Sequence, residues 1–197
     1  MKKLIIFCFL FFTVVASYAQ DKNVSKENKI CISMHYIGNN RNNNFVSDNF
    51  NGIVGVDAKY KFYNNHNYSI QAGLGLDYFE GRKVDNQFKL ENSLMITPNI
   101  GIVFEGSKVF HPFLNIGYSL FTAKYQLQQS FSASDPFDPI FSPIPSSLAY
   151  NFDSFTINPG LQLYINKRMY FQTDYKYLPI GSNINVHLIS IGFGLTL

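Results

Sequence analysis

The chain is 197 residues long, enough for one domain of ordinary size. Its content of 46% hydrophobic and 17% aromatic residues excludes a mainly disordered polypeptide, and 15% charged residues is too few for a long solvent-exposed coiled coil. The formal net charge of +3 falls to +1 when Lys2 and Lys3 are set aside with the leader, so there is no electrostatic footprint for a nucleic acid.

Residues 1–19 read as a secretory signal peptide. Lys2 and Lys3 form a positive n-region, and residues 4–16 (LIIFCFLFFTVVA) are a 13-residue apolar run. Ser17 and Ala19 place small residues where a signal peptidase reads them, so cleavage is expected between Ala19 and Gln20. The run falls short of the roughly 17–25 residues a helix needs to cross hydrocarbon. Residues 20–28 (QDKNVSKEN) read as a short polar arm, and residues 29–197 as one domain.

Beyond the leader, Cys31 is the one cysteine, so no internal disulfide is expected. Its parity is inward, where a small apolar thiol fills space. His35, His66, His111 and His187 form no ligand cluster, and no metal or cofactor is expected. Asp135, Asp138 and Asp153 are too separated by proline and apolar residues for a calcium loop.

After the leader the hydrophobic period becomes two. In residues 29–37, Ile30, Ile32, Met34 and Tyr36 share one face, with Cys31, Ser33 and His35 opposite. Residues 52–62 set Val54, Val56, Ala58, Tyr60 and Phe62 against Gly55, Asp57, Lys59 and Lys61. Residues 68–78 set Ile70, Ala72, Leu74, Leu76 and Tyr78 against Gln71, Gly73, Gly75 and Asp77. The pattern returns in 94–104, with Asn99 on the polar side, in 114–120, with Asn115, and in 155–163, with Gln162. Residues 169–177 place Asp174 and Lys176 on the polar side, and residues 189–197 close the series. A helix would scatter these two classes around its circumference, whereas a pleated strand separates them. Eight strands are predicted.

Alternation alone does not say which face is inside. The polar face is rich in Gly, Ser, Thr, Asn and Gln, and its few charges have opposite-sign candidates to pair with, as suits the narrow lumen of an eight-strand barrel. The apolar face carries Tyr60, Phe62, Tyr78, Phe104, Phe155, Tyr175 and Tyr177 near strand ends, as interfacial girdles require. Links 64–67, 106–109 and 165–167 are short, while the alternate links 38–51, about 81–88 and 128–149 are long, with 179–183 the exception. These features predict an all-β fold, an eight-stranded antiparallel up-and-down transmembrane β-barrel. Its interior is polar, its periplasmic turns short and its extracellular loops mostly longer. Open strand edges in hydrocarbon would strand N–H and C=O groups at several kcal/mol each, so the sheet must close. Pro98 and Pro159, both of outward parity, are expected at bulges or at ends of hydrogen-bonded stretches. Asp57, Lys59, Asp77, Asn99, Asn115, Gln162, Asp174 and Lys176 are the expected lumen network.

On these alternating segments and on the last eight residues, SIGFGLTL, the chain resembles the small outer-membrane β-barrel proteins of Gram-negative bacteria. In particular it resembles the porin-like or PorT-like group common in Bacteroidetes and, in architecture, the OmpA transmembrane domain and OmpX. The resemblance implies an integral outer-membrane location, contact with outer-membrane lipid and lipopolysaccharide, and handling by the barrel assembly machinery. It also makes Ser190, Gly192, Leu195 and Leu197 an assembly signal, with Leu197 replacing the more familiar terminal Phe. The sequence ends with its last strand, so a peptidoglycan-binding domain of the OmpA kind is not expected. The oligomeric state is not legible.

Three functions fit this architecture. The favoured one is a non-enzymatic envelope or surface-interaction scaffold. Its candidate partner-binding loop is 128–149, where prolines restrain the backbone and Phe137, Ile140, Phe141 and Ile144 offer apolar contacts. The alternative reading of that loop is a segment that folds over its own barrel mouth or touches lipid. A small channel is the second function, disfavoured because eight strands leave room only for side chains. A lipid-modifying enzyme is the third. No catalytic residue is expected, because His187 and Ser190 are three apart and face opposite sides, and sequence places no acid beside Ser33 and His35.

Overall fold

The computed structural model describes residues 30–39, 50–81, 88–127, 147–180 and 184–197. The leader, the arm and the loop residues Phe137, Ile140, Phe141 and Ile144 lie outside them. The described strands are β1 (Ile30–Asn39), β2 (Phe50–Asn64), β3 (Tyr68–Gly81), β4 (Phe88–Leu90), β5 (Ser93–Phe104), β6 (Phe110–Leu127), β7 (Ser147–Tyr164), β8 (Met169–Ile180) and β9 (Ile184–Thr196).

Nine segments make eight barrel strands. Both β4 and β5 pair with β6, through Leu90↔Tyr125 and Leu94↔Thr122, so a single extra residue separates their registers. The Glu91 N–H bridges the break by donating to the Lys124 carbonyl at 2.8 Å. The two segments are one strand interrupted by a bulge. Every neighbouring pair is antiparallel, and the ring closes where β1 pairs with β9 from Cys31↔Thr196 to Asn39↔Leu188. Ile30 and Leu197 complete the seam with two backbone hydrogen bonds, of 3.2 and 2.7 Å. Among the described residues every barrel strand has a neighbour on both sides, as hydrocarbon requires.

The apolar faces point outward. Phe155 is 67% exposed and Ile191 65%, whereas Gln71 and Asp77 on inward positions are 0% exposed. A soluble barrel would reverse this order, because it buries apolar rather than charged side chains.

Pro98 and Pro159 interrupt ladders without shifting them. The β5–β6 ladder skips from Ile96↔Leu120 to Asn99↔Gly117, and the β7–β8 ladder from Ile157↔Tyr177 to Gly160↔Asp174, each with its register unchanged. The proline, which lacks an N–H, opens a gap of two register pairs here, not a bulge. The bulges of β2 lie elsewhere, between Gly52 and Val54 and between Lys61 and Tyr63. The second of these corrects the expected girdle: Phe62 is the extra residue, and Tyr63 takes the exposed position, stacked on Tyr68 at 5.6 Å.

The tight turns 65–67, 105–109 and 165–168 share one end of the barrel with Ile30 and Leu197. Their side chains do the turn chemistry expected of Asn and Ser. Asn166 Oδ1 accepts from the Arg168 and Met169 N–H groups, both at 2.9 Å, and Ser107 Oγ accepts from those of Val109 and Phe110, both at 3.2 Å. This is called the turn end below, and the opposite one the loop end.

The polar interior has a boundary that alternation did not reveal. Toward the loop end the inward positions become apolar, and Ile37, Phe50, Phe79, Leu90, Met95, Phe121, Leu178, Val186 and Leu188 form one buried cluster. Phe121 packs edge-on against both Phe50 and Phe79, each at 5.4 Å between ring centroids. The lumen is therefore layered, with polar groups in the middle and an apolar plug above.

Candidate functional site

The middle of the lumen is where this sequence places its buried charge. Inward positions of β1, β2, β3 and β8 converge on a cluster of Ser33, His35, Asp57, Asp77 and Lys176. Lys176 donates to Asp77 Oδ2, and His35 Nε2 lies 2.9 Å from Asp77 Oδ1. Asp57 stands 3.5 Å from both His35 Nδ1 and Ser33 Oγ. Asp77 thus receives two partners from two strands, as a carboxylate with no solvent contact requires. The convergence depends on Gly55: a Cβ there would sit 2.1 Å from His35 Nε2 and 2.3 Å from Asp77 Oδ1. Glycine opposite a bulky polar side chain lets groups from several strands meet in a narrow lumen.

Two further chains of hydrogen bonds line the remaining wall. Thr97, Ser119 and Thr156 form a hydroxyl relay across β5, β6 and β7, at 2.8 and 2.5 Å. On β7 and β8, Asn158 and Gln172 donate to the two oxygens of Asp174 at 3.1 and 2.9 Å, and Gln162 donates to Gln172 at 3.4 Å. Gln71 donates to Asn115 Oδ1 at 3.1 Å, while Asn99 turns back to the Thr97 carbonyl at 3.1 Å. Lys59 is held 3.8 Å from Asp57, with its ammonium 5.0 Å from the centre of the Phe113 ring.

All eight lumen positions named from sequence therefore face inward. Asp57, Asp77 and Lys176 are brought into one cluster, with Lys59 at its edge 3.8 Å from Asp57; Gln162 and Asp174 fall into another, and Asn99 and Asn115 join neither. Sequence reasoning missed Ser33, His35, Asn158 and Gln172, which complete these two clusters, and Gln71, which donates to Asn115. Their inward parity was visible, but parity says nothing about which strands face each other across the lumen. Near the turn end, Lys61 lies 2.6 Å from Glu105, and Ser69 donates to the same carboxylate at 2.8 Å. Neither Lys61 nor Glu105 was counted as a network residue.

A small polar cavity remains between Asp57, Lys59, Asn99, Asn115, Asn158 and Lys176, with room for about one water molecule. The side-chain oxygens of Asn99 and Asn158 are buried there without a hydrogen-bond partner. Among the described residues, no group of three or more His, Cys, Asp or Glu side chains is arranged to hold a metal ion.

Ser33 and His35 do meet carboxylates, but Ser33 is bonded toward Asp57 and His35 toward Asp77, so no nucleophile-to-base contact joins them. His187 and Ser190 lie on opposite faces: the Tyr175 hydroxyl and His187 Nδ1 are hydrogen-bonded to each other on the outer surface, while Ser190 is buried in the lumen. At the C-terminus the last strand alternates cleanly. Ser190 and Gly192 are turned inward and Leu195 and Leu197 outward, the latter 61% exposed. Gly192 packs against β1, where a Cβ would lie 2.4 Å from the Met34 carbonyl oxygen.

A closed antiparallel barrel with an apolar exterior and an internally bonded polar lumen defines the class of membrane-spanning β-barrels. More particularly, the chain belongs to the outer membrane protein β-barrel domain family, whose model matches residues 7–196. Comparison with curated protein sequences gave no match. Among solved structures it is similar to Ail, the attachment invasion locus protein of Yersinia pestis, with a TM-score of 0.57 at 13% identity over 87% of this chain and 99% of that one. It is also similar to the N-terminal β-barrel domain of Pseudomonas aeruginosa OprF, with a TM-score of 0.51 at 11% identity, covering 87% of this chain and 98% of that one. Neisserial surface protein A gives a TM-score of 0.51 at 12% identity, covering 85% of this chain and 96% of that one. At these identities the likeness is one of fold. The chain is an integral outer-membrane β-barrel protein.

Proposed function

We propose that this barrel is a non-enzymatic envelope protein, acting as a structural element or as a scaffold for surface interaction rather than as a conduit. One observation carries the reading: the lumen is occupied along its length by its own side chains. The Asp77–Lys176 cluster sits in the middle and the Phe50–Phe79–Phe121 plug above it. Groups bonded to one another in this way leave no continuous path for a solute. The fold-level likeness to Ail, an attachment invasion locus protein, is compatible with a surface role.

In this reading the leader is removed between Ala19 and Gln20, the turn end faces the periplasm, and the loops of the opposite end face outward. Residues 128–149, with Phe137, Ile140, Phe141 and Ile144, offer a contact surface for an envelope or surface protein. Lipopolysaccharide surrounds the outer rim. Ser190, Gly192, Leu195 and Leu197 present the alternating terminal strand to the assembly machinery.

The test pairs conductance with genetics. Reconstituted protein is expected to give no stable, voltage-independent openings, and a deletion strain to lose envelope integrity or binding. Stable single-channel openings would replace this reading with that of a small channel. Extracellular protease on intact cells is expected to cut within 128–149 and to spare the 65–67 turn; the reverse pattern would overturn the orientation.

A further inference from the structure

The turn end carries a second feature that the lumen does not explain. Turns 105–109 and 165–168 emerge side by side, because β6 and β7 pair down to Phe110↔Leu163 and the Tyr164 N–H then donates to the Val109 carbonyl at 2.9 Å. One further step along that register sets Lys108 opposite Ile165, with Lys167 and Arg168 completing the second turn. All three cationic side chains are exposed. The one carboxylate side chain of these turns, Glu105, is drawn inward to Lys61 and Ser69. Among the described residues of the turn end, the outward side-chain charges are therefore cationic.

Exposed apolar residues lie directly beneath them. Val109 is 46% exposed, Phe110 55% and Ile165 57%. The outward row continues around the barrel through the register pairs Phe110↔Leu163, Leu163↔Phe171 and Phe171↔Phe193. Phe171 and Phe193 meet edge-on at 5.8 Å. The remaining tight turn, 65–67, has no Lys or Arg and is flanked by the stacked Tyr63 and Tyr68, so among the described residues the outward cations of this rim lie on one side.

We propose that Lys108, Lys167 and Arg168, above the Phe110–Leu163–Phe171 row, form a binding site for an anionic glycerophospholipid of the inner leaflet. The cations meet the headgroup phosphate, and the acyl chains run along the apolar row. An ammonium or guanidinium at the headgroup level and an aromatic at the hydrocarbon boundary each sit where their own solvation is satisfied. The lipid would anchor one side of the barrel at a fixed depth. The inference rests on the orientation proposed above and not on whether the lumen conducts.

The test uses protein purified from outer membranes, with retained lipid read by native mass spectrometry during titration with phosphatidylglycerol, phosphatidylethanolamine or lipopolysaccharide. Wild-type protein is expected to retain phosphatidylglycerol in preference to the other two. Removing cations by Lys108→Gln, Lys167→Gln and Arg168→Gln is expected to weaken that retention by on the order of fivefold per charge. Lys124→Gln, at the loop end of β6, is expected to leave it unchanged. Heat-modifiable gel mobility confirms folding, and should the triple variant fail to fold, Lys108→Gln and Arg168→Gln alone are each expected to show the loss. Equal retention of all three lipids, preference for lipopolysaccharide, or a phosphatidylglycerol preference that survives the substitutions would overturn the proposal.

Discussion

Lys176 on β8 bonds to Asp77 on β3 across the full width of the barrel, joining residues 99 apart in sequence. In the closed ring of eight, those two strands are four steps apart in either direction, so the bond runs along a diameter. Losing one partner leaves the other charge buried and uncompensated. Lys176→Met is expected to destabilise the barrel by about 3–5 kcal/mol, and Asp77→Leu by at least as much because His35 also depends on that carboxylate. The double variant Asp77→Leu/Lys176→Met should recover much of the loss. Urea unfolding of the barrel in lipid vesicles measures all three, and strict additivity of the single effects would refute a direct coupling.

The plug makes a separate prediction. Phe121 is 5% exposed and touches Phe50 and Phe79 edge-on. Phe121→Ala is expected to cost about 3–5 kcal/mol, the range for truncating a packed aromatic. The variant should still be silent in planar bilayers, because the charged layer beneath the plug is untouched. Conductance appearing in this variant alone would identify the plug as the sole barrier.

The outward medium can be tested by depth. Ile100, midway along β5 and 42% exposed, is expected to lose about 2–4 kcal/mol on replacement by Lys when the barrel is folded in lipid. The same replacement at Phe110, at the turn end, is expected to cost about 0–1 kcal/mol. Equal costs at the two positions in vesicle unfolding would argue that lipid does not set the environment of this face.

Close approach inside the lumen gives the fourth prediction. A Cβ on Gly194 would fall 2.1 Å from the ring of Tyr170, a side chain with no solvent exposure, whereas a Cβ on Gly106 meets nothing within 4 Å. Gly194→Ala is expected to destabilise by about 1–3 kcal/mol through overpacking, with Gly106→Ala near neutral. Denaturation midpoints of the two variants, compared at equal slope, give the answer.

Away from the bulges and the strand ends, the strands, their inward and outward faces and the assignment to a membrane barrel follow from the sequence by itself. Side-chain direction along a strand has a period of two, so Val54 and Asp57 declare their faces through their neighbours alone, without reference to any other strand. Even the inward placement of Asp77 and Lys176 is local information of this kind. That they bond to each other depends on ring closure and stagger, which are set by the registers of every intervening strand and by the bulges that shift them. The apolar plug was hidden for a related reason. Near the loop end Phe79, Phe121 and Leu178 sit inward beside outward apolar neighbours, so both faces are hydrophobic and alternation falls silent. The same holds for the cationic rim, since residues 108 and 168 lie in different turns, and only the β6–β7 ladder brings those turns together. Where the alternation is unbroken, sequence determined which way a side chain points; the closed sheet decided what it meets there, because contact across a lumen is a property of all eight strands at once.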